Sequence, residues 1–306
     1  MLTTLLLAAT ISAPYQPGTG PGAMEYRHTK LVQTIQGHGG TQCWIYEPDG
    51  PAPTNAPVVI FLHGWSAMYP RMYDQWIIHL VRRGNIVIYP RYQGYLATPP
   101  REFTSNAVYA IQLALQTLET GKHVRPDRNR IAVVGHSMGG AIAANLAAVM
   151  PDVKAVMCVE PGDGKIHNPL LDFPKADWKK IPATTLLLTV VGEDDKTAGN
   201  KYAKLIFAGT PQIPAENKNY IIVHTDRYGT PPLEADHRAP LASSFAPRSV
   251  NALDYFGFWK LFDALSDAAF YGTHREFAFG DTPQQRFMGK WSDGTPVKEL
   301  TVTTTP

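Results

Sequence analysis

The stretch Ile131-Ala132-Val133-Val134-Gly135-His136-Ser137-Met138-Gly139-Gly140 decides how this chain is read. Four apolar residues ending at a glycine predict a strand buried on both faces. The alanine-rich run over 138–150 predicts a helix. Ser137 falls on the junction. A sharp strand-to-helix turn would lift its hydroxyl above the sheet, and the helix N-terminus would aim free N–H groups and its dipole at the same point. Such a turn is crowded, so the flanking positions must lack bulk, and Gly135 and Gly139 supply that.

Strands and helices alternate on both sides of this junction. Residues 29–36 and 41–47 read as a strand pair at a sheet edge, and 58–62 and 86–89 as buried strands. Residues 73–83 read as a helix. Thr104 or Ser105 can cap a helix that runs to Thr120, with Val108, Ile111, Leu115 and Leu118 on one face and Gly121 as its stop. Strands follow at 155–159 and 184–191, a helix at 198–208, a last strand at 220–224 and a long closing helix at 249–270. This alternation predicts an α/β fold: a mostly parallel central sheet of about eight strands with helices on both faces. The interval 160–183 is too short for a cap domain, which needs at least ~50 residues, so an open cleft is expected. Trp178 in that interval reads as an anchor of the loop to the core.

A chain of 306 residues suits one large domain, placed at 25–280. Residues 1–13 hold a short apolar run resembling that of a secretory signal, which implies a secreted or periplasmic protein, with a cytoplasmic one as the alternative. Residues 14–24 are rich in Pro and Gly and read as a linker. Residues 281–306 are polar with scattered aromatics and read as a surface tail. The net charge is +2 without a Lys/Arg cluster, so no nucleic-acid partner is expected. No stretch is long and apolar enough for stable membrane insertion, and a monomer is expected. Cys43 and Cys158 lie in apolar stretches and read as buried small hydrophobes. No Cys-x-x-Cys pair and no His-x-x-x-His pair among ten histidines calls for a metal, and no cofactor is expected.

A serine hydroxyl needs a base to act as a nucleophile, and the base needs an orienting carboxylate. With this junction the chain order is serine, acid, histidine. The 184–191 strand runs into Glu193, Asp194 and Asp195, among which spacing alone does not choose. The loop after the last predicted strand carries His237. His224 lies within a strand, His167 precedes the acid, and His274 follows the closing helix, so each fits less well. An oxyanion would need two backbone N–H groups. Met138, next to the serine, supplies one, and Trp65, in the loop His63-Gly64-Trp65-Ser66-Ala67 after the 58–62 strand, supplies the other. His63 reads as structural, fixing that loop.

Four segments together resemble the cutinase and polyester-hydrolase branch of the α/β-hydrolase superfamily, bordering the dienelactone-hydrolase-like branch. Gly64-Trp65-Ser66-Ala67 is similar to its oxyanion loop and His136-Ser137-Met138-Gly139-Gly140 to its nucleophile elbow. Asp195-Lys196-Thr197-Ala198 is similar to its acid loop and His237-Arg238-Ala239-Pro240 to its base loop. The resemblance covers roughly residues 57 to 240. It implies carboxylic ester cleavage by Ser137, His237 and Asp195, on a small-molecule or polymeric ester that Gly64 and Trp65 help to bind. The chain departs from that branch at Val159-Glu160-Pro161-Gly162, where the branch has a Pro-Trp pair.

Overall fold

Alternate residues of the central strands pack into two different cores, one on each side of a single sheet. The computed structural model describes residues 10–164, 173–244 and 250–306. Most of the signal-like run, the rival His167 and the first residue of the expected closing helix lie outside the described residues. In chain order the elements are β1 (Lys30–Gln36), β2 (Cys43–Asp49), β3 (Asn55–Leu62), α1 (Asp74–Arg82), β4 (Ile86–Pro90), α2 (Phe103–Leu118), β5 (Arg125–His136) and α3 (Met138–Val149). Then come β6 (Val153–Val159), β7 (Leu186–Gly192), α4 (Lys201–Ala208), β8 (Lys218–Val223), α5 (Trp259–Tyr271), the short α6 (Pro283–Arg286) and β9 (Thr301–Thr303).

Among the described residues the sheet has nine strands in the order β1-β2-β4-β3-β5-β6-β7-β8-β9. From β4 through β3 and β5 to β8 the neighbours run parallel. The edges, β1 and β2 at one side and β9 at the other, are antiparallel. On one face Val59, Phe61, Val134 and Met157 meet α1 and α5. On the other, Val58, Ile60, Val133 and Val156 meet α2, α3 and α4. Cys43 and Cys158 are free and buried within this second core, as read. Burial pushes the Cys43 thiol up to about 12, so it stays protonated.

Three expectations need correction. The last strand is β9, not β8: Thr301–Thr303 pairs antiparallel with Tyr220–Ile222. The polar segment from 281 onward is not a surface tail, because Met288, Trp291, Val297 and Leu300 are buried in the core beside α5. Trp291 also donates its indole N–H to Asp226 Oδ2 at 3.1 Å. A few large apolar groups spaced among polar ones were enough to bury the segment, which average polarity does not reveal. Residues 14–24 are likewise no free linker. Ala23 is fully buried, and the Gly22 N–H donates to the buried Asp263 Oδ2 of α5 at 2.7 Å.

The interval between β6 and β7 carries, in its described part, only a short 3-10 turn at Trp178–Lys180. Trp178 is buried and donates its indole N–H to Asn145 Oδ1 of α3 at 3.0 Å, so it anchors the loop. No helix of the described residues is long and apolar enough to cross a membrane.

Candidate active site

Ser137 stands between β5 and α3 with φ +56° and ψ −123°, a backbone conformation costly for a residue with a Cβ. The surroundings enforce it. The Ser137 N–H donates to Val159 O at 2.9 Å, and its carbonyl accepts from Gly140 N–H at 2.9 Å and Ala141 N–H at 3.2 Å. A Cβ at Gly135 would lie 2.1 Å from Gly139 O, and one at Gly139 would lie 2.3 Å from Leu62 O. The turn therefore closes only with glycine on both sides of the serine.

The side chains expected to act together meet at the carboxyl ends of β5, β7 and β8, where open parallel sheets place their sites. His237 Nε2 lies 2.9 Å from Ser137 Oγ, and His237 Nδ1 lies 3.0 Å from Asp195 Oδ2. Asp195 Oδ1 accepts the N–H groups of Thr197 and Ala198 at 2.8 and 2.9 Å. Burial alone would raise the Asp195 pKa. The hydrogen bond and charge of His237 and these two N–H groups outweigh it and hold the carboxyl below its ordinary value. Asp195 is thus a carboxylate at neutral pH, able to orient the His237 ring with its Nδ1–H inward and Nε2 free to accept a proton.

The alternatives point elsewhere. Asp194 Oδ2 accepts from Thr225 Oγ1 at 2.7 Å and from Arg227 at 3.0 Å. Glu193 accepts from Thr225 N–H and lies beside His224. His224 Nε2 meets Thr301 Oγ1 at 2.8 Å, and His274 meets Asp267 at 2.9 Å.

Gly64, Trp65, Met138, Ser137 and His237 line one cleft of about 700 Å³, whose walls include Met72, Ala198 and Leu241. The Gly64 N–H is taken by Tyr73 Oη at 3.0 Å and the Ser66 N–H by Gln93 Oε1 at 2.9 Å. Among the described residues nothing takes the N–H of Trp65 or Met138. The Trp65 ring packs edge-on against Phe103, centroids 5.5 Å apart. His63 is fully buried, stacked on Tyr92 at 4.0 Å, and its ring nitrogens meet the Gly64 and Arg91 carbonyls at 2.6 and 2.7 Å. Burial lowers its pKa to about 4, and as a neutral ring it carries one N–H and donates to one of these two carbonyls.

Three groups in the wall of the cleft or behind it escaped sequence reasoning: Tyr73, His136 and Glu160. His136 Nε2 lies 3.0 Å from His237 O, which requires the proton on that nitrogen. Burial, then the His237 charge, depress the His136 pKa well below ordinary, so its Nδ1 is bare and accepts from Tyr73 Oη at 2.8 Å. Burial raises the Tyr73 pKa, so the phenol keeps the proton it donates. The result is a continuous chain from Gly64 N–H through Tyr73 and His136 to the His237 backbone. Donor atoms of His136, Glu160 and His237 lie within 4.8 Å of one another, a spacing a metal ion could use. In this arrangement the ring nitrogens already serve hydrogen bonds. The only available signal for these groups was Glu160 itself, a charged residue ending an apolar strand.

The family model described as Chlorophyllase matches residues 36–173, a little under half of the chain. The matched stretch runs from the end of β1 past β6 and contains Trp65, Ser137 and Met138. Together with the sheet order, this decides the fold.

The chain has the α/β-hydrolase fold.

Like other proteins of that fold it places a serine elbow above a mostly parallel sheet. The chlorophyllase match ends before Asp195 and His237, so those two rest on geometry. No curated protein matches the chain.

Proposed function

We propose that this α/β-hydrolase is a serine esterase that cleaves carboxylic esters through an acyl-enzyme. The observation that carries the reading is the line Ser137 Oγ to His237 Nε2 at 2.9 Å and His237 Nδ1 to Asp195 Oδ2 at 3.0 Å. The chlorophyllase likeness supports an ester as substrate.

His237 Nε2 takes the proton of Ser137 as its Oγ bonds to the ester carbonyl carbon. The carbonyl oxygen becomes an oxyanion, which the N–H groups of Trp65 and Met138 receive. The bond from carbon to the alcohol oxygen then breaks, and His237 returns its proton to the leaving alcohol. Water repeats the sequence on the acyl-Ser137, releasing the acid and restoring the hydroxyl. The largely apolar walls at Trp65, Met72, Met138 and Leu241 favour esters with apolar acyl and alcohol parts.

Hydrolysis of p-nitrophenyl butyrate tests the reading. Wild type should turn it over and label with a fluorophosphonate, while Ser137→Ala should do neither, with kcat lower by about 10⁶. Equal rates for the two would remove the proposal. A panel varying the acyl and alcohol parts, with lactones and thioesters included, then ranks the substrates.

A further inference from the structure

Glu160 is the last group around His237 that the mechanism above leaves without a task. It is fully buried at the end of β6, with φ +46°, in the left-handed region that a side chain rarely occupies. Its neighbours tie it to the elbow. The Glu160 N–H donates to Val190 O at 2.7 Å, Val159 O accepts from the Ser137 N–H at 2.9 Å, and the Gly162 N–H donates to Ser137 O at 3.2 Å. Space is reserved for the side chain, since a Cβ at Gly192 would lie 2.7 Å from Glu160 Oε1. Glu160 Oε2 then stands 3.3 Å from His136 Nε2 and 3.5 Å from His237 Nδ1. Two carboxylates, from the ends of two adjacent strands, thus face the same nitrogen of the same imidazole.

We infer that Glu160 is a second carboxylate of this site, a positioning residue that shares with Asp195 the orienting of His237 and the stabilising of its protonated form. The inference rests on the esterase reading, because it gives Glu160 a part only where His237 receives a proton from Ser137. An apolar or amide group would fill the same volume with less strain in the charge balance of a buried site. A backbone strain kept at a fully buried acid beside two imidazoles fits a role in the chemistry. When His237 carries the proton of Ser137, both carboxylates lie within 3.5 Å of it. Glu160 also accepts near the His136 Nε2–H, so one oxygen braces the ring behind His237 and the ring itself.

The test is a double-mutant cycle on folded protein, read as kcat and KM for p-nitrophenyl butyrate. Glu160→Gln should lower kcat about tenfold with KM little changed, and Asp195→Ala should lower it less than the ~10⁴ that loss of a sole acid costs. The double variant should fall at least about tenfold below the product of the two single losses, because each carboxylate covers for the other. A second readout needs no turnover: the downfield proton resonance of His237 Nδ1–H should shift in Glu160→Gln. Wild-type kcat in Glu160→Gln, losses that merely multiply, or an unmoved resonance overturns the inference. Where Glu160→Gln does not fold, the cycle is run with Glu160→Asp, whose carboxylate is withdrawn by one methylene; wild-type kcat in both backgrounds overturns it equally. An inactive wild type or an active Ser137→Ala defeats the esterase reading instead, and the resonance still tests the Glu160 contact.

Discussion

Tyr73 shows how much of a site can rest on a group that touches no reacting atom. Its hydroxyl accepts the Gly64 N–H and donates to His136 Nδ1, with both bonds buried. Tyr73→Phe leaves a buried donor and a buried acceptor without partners, each costing ~1–3 kcal/mol. Urea unfolding should therefore find the variant destabilised, and kcat for p-nitrophenyl butyrate should fall because the loop carrying Trp65 and the backbone of His237 lose a common brace. Unchanged stability and kcat would count against the relay. At Gly139 the penalty is steric. A methyl group there would lie 2.3 Å from Leu62 O and 2.4 Å from His63 O. Gly139→Ala should cost more than ~4 kcal/mol or give no folded protein, measured by thermal melting and soluble yield.

At the scale of elements, the strands near the elbow were readable because each is short, apolar and bounded by turn residues. The helix ends were less so. α2 begins at Phe103, directly after a 3-10 turn at Pro100–Glu102, and neither Thr104 nor Ser105 caps it. Ser105 Oγ donates to Glu102 O, and Thr104 Oγ1 accepts from Asn145 Nδ2. The buried face of α2 is built from Phe103, Ala107, Ile111, Ala114 and Leu118, with Val108 at its margin. The closing helix is preceded by a π-helical segment at Leu253–Phe258 before α5 starts. The segment after 281 carries the clearest consequence. Trp291 fills the core and bonds to Asp226, so Trp291→Ala should destabilise by about 3–5 kcal/mol in denaturant titration. A merely surface-bound tail would give less than ~0.5 kcal/mol.

Across the whole molecule, one buried charge cluster joins parts far apart in sequence. Asp263 of α5 meets His79 Nε2 of α1 at 2.9 Å, Arg83 Nε at 3.2 Å and the Gly22 N–H at 2.7 Å. Burial pushes the Asp263 pKa up, but the Arg83 and His79 charges and the hydrogen bonds to it outweigh burial and leave the pKa below its ordinary value. A carboxyl with a depressed folded pKa binds its proton more readily when unfolded. Its stabilisation is therefore present above the unfolded value of about 3.9 and is lost as pH falls through the lower folded value. Asp263→Asn should flatten the decline of stability below about pH 4. It should also lower stability at pH 7, by less than the ~3–5 kcal/mol of a fully orphaned buried charge, because Arg83 keeps Asp267 Oδ2 at 3.3 Å. Melting temperatures from pH 2 to 8 would check both, and an unaltered acid limb would refute the assignment.

The sequence by itself determined the α/β class, the elbow at Ser137, and the cleft residues Gly64, Trp65 and Met138. The class and the elbow follow from local physics: strand and helix periodicity, and a turn that tolerates only glycine beside the serine; Gly64, Trp65 and Met138 follow from where such an elbow places its oxyanion loop and from that loop's resemblance. Chain order also pointed to the loop of His237, although spacing did not separate Asp195 from Glu193 and Asp194. The resemblance of the acid loop favoured Asp195, and the tertiary structure gives that choice its geometry by turning Asp194 toward Thr225 and Arg227 and Asp195 toward His237. It alone brought Tyr73, His136 and Glu160 behind the site, and drew residues 14–24 and 281–306 into the core. Most of those contacts join residues far apart in the chain, from 24 positions for His136 and Glu160 to 241 for Gly22 and Asp263. No local pattern encodes such pairings, because they depend on which buried groups find partners once the sheet has closed around them.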